Sequence, residues 1–107
     1  MTNHRKLVEN LINIAVNHPL KRIDESSELE SFKADIFERD SLRIECILPV
    51  QDTYLIYVEE NNVLVYDAQR FDADYWEIPE SDSDIQIRTY KAGKWEEEIN
   101  KIEAEFN

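Results

Sequence analysis

The chain has 107 residues, 42 % of them hydrophobic, with twenty-four acidic against twelve basic side chains and a formal net charge of -12. That length suits one hydrophobic core, so a single domain over residues 1–107 is expected, and no apolar run is long enough to form a membrane-spanning helix. The charge disfavours direct contact with nucleic acid or anionic lipid, whose phosphates it repels, and favours encounter with basic proteins.

The imbalance is uneven. Residues 1–23 carry Arg5, Lys6, Lys21 and Arg22 against Glu9 alone, a local +3, which leaves -15 on residues 24–107. Cys46 is the single cysteine. It excludes an internal disulfide framework and a multi-cysteine metal site, and it fits a reducing, cytoplasmic location. Glu9, Asn10 and Asn13 interrupt the apolar part of the N-terminus, and no small-residue cleavage site follows, so no signal peptide is expected.

Between Asn3 and Asn17 the apolar residues Leu7, Val8, Leu11, Ile12, Ala15 and Val16 fall on one helical face. Thr2 or Asn3 is placed to cap this helix, and Asn17-His18-Pro19 stops it, because the residue before proline is driven out of the helical region. The following IDESSELESFKADIFERD satisfies two patterns. Ser27 with Glu30 makes a capping box before Leu29, Phe32 and Ile36, yet Phe32, Ala34 and Ile36 also alternate as in a strand. The polar turn Glu38-Arg39-Asp40-Ser41 favours the strand, over about Phe32 to Glu38.

In SLRIECILPV, Leu42, Ile44, Cys46 and Leu48 share one face and Arg43 and Glu45 the other, with Pro49 expected to end the strand. DTYLIYVEENNVLVYDAQ reads as a hairpin turning at Glu60-Asn61-Asn62. Ile85, Ile87 and Thr89 predict a last strand. After Gly93, the one glycine, Trp95, Ile99, Ile102 and Phe106 make the apolar stripe of a second helix. The scarcity of glycine argues against type I′ turns and against phosphate-cradling loops alike. The expected fold is therefore α+β: an N-terminal helix, a four- to five-stranded antiparallel sheet and a C-terminal helix, both helices packed on one face of the sheet.

No catalytic constellation emerges. His4 and His18 bracket the first helix and read as surface residues. Cys46 lies on an apolar strand face and reads as structural. No GxGxxG, GxxxxGK[ST], HExxH or CxxC occurs, so neither a nucleotide cofactor nor a catalytic metal is expected and the chain reads as a non-enzyme. The spacing of Asp72, Asp74, Asp82 and Asp84 departs from a calcium loop, since Trp76 and Glu77 stand where oxygen ligands and a glycine belong.

The informative stretch is Asp67 to Asp84. It holds seven carboxylates (Asp67, Asp72, Asp74, Glu77, Glu80, Asp82 and Asp84) against Arg70, with Tyr75 and Trp76 in the middle. Aromatic anchors within a polar rim are the chemistry of protein-binding hot spots, so these nine residues are candidate contacts for a basic partner. The same segment also reads as a connecting strand that buries Phe71, Trp76 and Ile78 and turns its acids to water. In size, acidity and lack of a catalytic set, the chain resembles the general class of small inhibitors that neutralise basic proteins. That class includes immunity proteins that block nuclease toxins and phage proteins that mimic DNA. The resemblance implies a protein-binding inhibitor, most directly an immunity protein; a DNA mimic and a non-catalytic accessory interaction domain are the alternatives.

Overall fold

The computed structural model describes residues 3–27, 31–50, 53–71 and 85–106, residues 31, 49 and 50 by their backbone alone. Within them the chain runs α1 (His4–Asn17), β1 (Lys21–Ser26), β2 (Ser31–Arg39), β3 (Leu42–Val50), β4 (Thr53–Glu60), β5 (Val63–Phe71), β6 (Ile85–Tyr90) and α2 (Trp95–Phe106). The expectation of four to five strands is corrected to six, and the added strand is β1. Its sequence KRIDES lacks apolar alternation because an edge strand is wet on both sides, and Ile23 alone is half-buried. The ambiguity over residues 29–38 resolves as strand from Ser31 onward.

Asn3 caps α1 by accepting a hydrogen bond from the Lys6 amide at 3.2 Å. At the other end the His18 amide bonds the Ile14 carbonyl at 3.0 Å, and the Arg22 guanidinium donates to the Val16 carbonyl at 2.8 Å. Both satisfy carbonyls that the helix leaves unpaired. Leu7, Val8, Leu11, Ile14 and Ala15 are buried. Ile12 and Val16 flank this stripe, and Ile14 takes the centre because positions 7, 11 and 14 are i, i+4 and i+7 of one face.

The strands pair in sequence order, every neighbouring pair antiparallel. Two tight turns make this meander possible, and neither uses glycine. Asp40 turns β2 into β3 with φ 54°, while Asn61 and Asn62 turn β4 into β5 with φ 54° and 65°. Short Asn and Asp side chains tolerate this left-handed region, so scarce glycine does not prevent such turns. The two turns are tied side by side by the Asn61 amide donating to the Ser41 carbonyl at 2.9 Å. Pro49 does not end β3. The strand continues to Val50, and the register shift between Ile47 and Val50 absorbs a residue that cannot donate to the ladder. A further shift between Asp67 and Ala68 turns Thr89 to the face opposite Ile85 and Ile87, and on this edge strand Ile85 is buried while Ile87 is exposed.

The core lies between the sheet and the helices. Ile44, Ile56, Val58, Tyr66 and Ala68 face Leu11, Ile14, Trp95, Ile99 and Ile102. Each fully buried Ile, Leu or Val side chain of this set contributes about 1.5–3 kcal/mol. The expectation that both helices spread over one sheet face needs correction. α1 lies across β2, β3 and β4, whereas α2 packs chiefly on α1. It meets the sheet through Trp95 against Tyr66 and Phe106 against Phe37. Trp95 Nε1 donates to the Lys91 carbonyl at 2.7 Å. Arg39 locks the far end of α2, its guanidinium 5.6 Å from the Phe37 and Phe106 ring centres and 2.7 Å from a Glu105 oxygen. In its first turn Glu96, Glu97 and Glu98 complement the helix dipole, and Glu98 meets Lys101 at 3.4 Å as the spacing predicts.

Candidate protein-binding face

Residues opposite one another in an antiparallel ladder share a face, so the register decides what the sheet turns away from α1. One row runs Ile23, Ala34, Ile47, Leu55, Gln69 and Gln86; the next runs Lys21, Ile36, Glu45, Tyr57, Asp67 and Thr89. Ala34 and Ile36 are buried here but stand apart from the main core, and Ile23, Ile47, Leu55 and Tyr57 around them are half-buried. The face has an apolar centre that water still reaches.

Charge surrounds that centre. Arg43 sits between Glu38 on β2 and Glu59 on β4, its guanidinium 3.4 Å and 3.6 Å from their carboxylates and 3.8 Å from that of Glu45. Its Nε is sealed from solvent and donates no hydrogen bond among the described residues. Among the described residues three carboxylates thus share one cation, an excess of two negative charges. Towards the other edge, Arg88 contacts Asp67 at 2.7 Å and the Tyr57 hydroxyl at 3.4 Å. The Asp67 hydrogen bond, seconded by Tyr57, raises the Arg88 pKa further. Because at least one partner of each pair is more than a third exposed, these pairs orient side chains more than they stabilise the fold.

Of the nine candidate contacts, Asp67 lies on β5 on this face, its side chain 13 % exposed and paired with Arg88. Asp72, Asp74, Tyr75, Trp76, Glu77, Glu80, Asp82 and Asp84 lie outside the described residues. Sequence reasoning missed the group of Glu38, Arg43, Glu45, Tyr57 and Glu59. Half of the signal was present, since alternation in SLRIECILPV already set Arg43 and Glu45 opposite Leu42, Ile44 and Cys46. The other half needed the pairing of β3 with β2 and β4.

The polar groups on the opposite side are closed in on themselves. His4 is not a free surface residue: its Nδ1 lies 3.2 Å from the hydroxyl of Tyr66, which is wholly buried, and its ring stacks on that of Tyr66. The Tyr90 hydroxyl donates to the Glu96 carboxylate at 3.1 Å. Burial, then the neighbouring Tyr90 and Glu96, push the Tyr66 phenol well above its ordinary pKa, so it stays neutral. His18 is exposed and stacks on Phe106 with ring centres 3.7 Å apart. Cys46 is buried, and desolvation with the nearby Asp35 carboxylate pushes its thiol up to about 12. At neutral pH the thiol is therefore held protonated, the less nucleophilic form.

Among the described residues no three His, Cys, Asp or Glu side chains are grouped to hold a metal ion, and no helix is long and apolar enough to cross a membrane. Comparison with protein families, characterised proteins and solved structures finds no match.

Proposed function

We propose that the protein is a non-catalytic acidic inhibitor that neutralises a basic partner, in the manner of an immunity protein blocking a nuclease-type toxin, and that it docks through the sheet face turned away from α1. One observation carries this reading: the half-exposed apolar centre of Ile47, Leu55 and Tyr57 adjoins three carboxylates that share one guanidinium, on a chain of net charge -12. A partner's Lys or Arg side chains compensate the excess charge at Glu38, Glu45 and Glu59. Its apolar or aromatic groups cover Leu55 and Tyr57. Charge supplies fast encounter, and desolvation of the aromatic centre supplies slow release. Asp72, Asp74, Tyr75, Trp76, Glu77, Glu80, Asp82 and Asp84 belong to this proposal as further contacts. They lie on the segment joining β5 to β6, the strands that carry Asp67 and Arg88.

The test is capture from the native host's extract with the tagged protein at about 0.05 M and about 0.5 M salt, a range that changes screening severalfold. The expected outcome is one basic protein retained at both, whose purified activity is blocked by the wild type. Tyr57→Ala combined with Leu55→Ser should weaken that complex by about 2 kcal/mol or more, as for a hot spot, and Trp76→Ala by a similar amount. A partner held equally by the face variant removes this face from the proposal. A set of nucleic-acid-binding proteins lost at high salt favours a DNA mimic instead, and no retained protein favours an accessory domain.

A further inference from the structure

Strands β1 and β6 are the two edges of the sheet, and the outer edge of β1 offers backbone groups that β2 does not pair. Charged side chains on such an edge ordinarily keep other strands away. In KRIDES, however, the charges are ordered: Lys21 and Arg22 precede Ile23, and Asp24 and Glu25 follow it. Such a strand is complementary to itself when reversed. Lys21, Asp24 and Glu25 are exposed and make no ion pair among the described residues. Arg22 is held by Asp35 at 2.6 Å with its side chain still 58 % exposed. α1 lies chiefly over β2, β3 and β4, and it meets β1 at Arg22, which also donates to the Val16 carbonyl at 2.8 Å.

We infer that two copies of the chain associate edge to edge, β1 antiparallel to β1, into a continuous twelve-stranded sheet. The register follows from the ladder. Outward backbone groups belong to alternate residues, so a two-fold pairing joins residues of like parity. With Ile23 on the axis opposite its own copy, Lys21 meets Glu25 of the second copy and Arg22 meets Asp24. The four complementary pairs fall two on each face. Shifting the axis to Arg22 sets Arg22 against Arg22, and shifting it to Asp24 sets Asp24 against Asp24. Complementarity therefore selects one register among the neighbouring possibilities. The chosen axis also extends the apolar row of Ile23, Ala34, Ile47 and Leu55 from one copy into the next. It lies in the part of the sequence where bases outnumber acids, away from the acids that would drive two molecules of net charge -12 apart. Leu20, 68 % exposed beside the strand, is covered opposite Ser26 of the second copy.

A six-residue ladder is a small interface, so the expected Kd is on the order of 100 μM. Sedimentation equilibrium at about 0.15 M salt, where distant charges are screened but contact pairs persist, tests it from about 10 to about 500 μM. The wild-type mass should rise from monomer towards dimer. Lys21→Glu and Glu25→Lys each turn two attractive pairs into repulsive ones and should weaken association about 30-fold. Both sites are exposed and make no ion pair among the described residues, so each variant should keep the wild-type unfolding midpoint, which separates loss of pairing from loss of fold. An equimolar mixture of the two variants restores opposite charges and should dimerise again. A wild type that stays monomeric throughout, variants that dimerise as the wild type does, or a mixture that stays monomeric would each overturn the inference.

Discussion

Raising the pH should destabilise this protein in part through one buried thiol. Cys46 is 3 % exposed on the α1-facing side of β3, opposite Asp35 on β2. Burial, and after it the Asp35 carboxylate, push its pKa from 9.0 to about 12. The unfolded chain therefore sheds this proton first. The stability contributed by the neutral thiol is complete below pH 9 and is lost as pH rises from 9 towards 12. Within that window each pH unit removes roughly 1 kcal/mol or a little more, so on the order of 3 kcal/mol is gone by about pH 11. Other groups titrate there too, which is why the comparison must be with Cys46→Ala, a variant with a small packing deficit at neutral pH and no thiol to ionise. The assay is urea unfolding in reducing buffer at about pH 8 and about pH 11, and the gap between wild type and variant should close by about 1 M or more in midpoint. Parallel losses in the two proteins would show that Cys46 is ionised as readily in the folded state as in the unfolded one.

Tyr66 should act in the same direction at higher pH. Its buried phenol is raised above 10.0, so Tyr66→Phe should flatten the loss of stability above pH 10 while costing about 1 kcal/mol at neutral pH for the contact with His4, both read from the same unfolding curves. At the β4–β5 turn, Asn62→Ala forces a β-carbon with ordinary backbone preferences into φ 65° and should cost about 1 kcal/mol, whereas Asn62→Gly should be neutral or stabilising in thermal unfolding.

The periodic parts of the chain were legible because local pattern and final burial agree. The stripe through Leu7 and Leu11, the alternation of Leu42, Ile44 and Cys46, and the stripe of Trp95, Ile99 and Ile102 each stand where their spacing puts them. The turn at Asn61-Asn62 and the cap at Asn3 were also readable, since short polar side chains act on their own backbone. Two local rules misled. Scarce glycine suggested that type I′ turns were absent, yet asparagine serves in its place. Proline suggested a strand end, yet a bulge accommodates it.

What the sequence by itself determined was the class of the fold, the two helices, most of the strands and an acidic surface, because these depend on residues near one another in the chain. Only the tertiary structure decided the rest. β1 is a strand because it pairs with β2, not because its own residues alternate. The seating of α2 on α1 depends on contacts between opposite ends of the chain. The grouping of Glu38, Arg43, Glu45, Tyr57 and Glu59 on one face follows from the pairing of three strands, and pairing is a long-range choice that no single segment encodes.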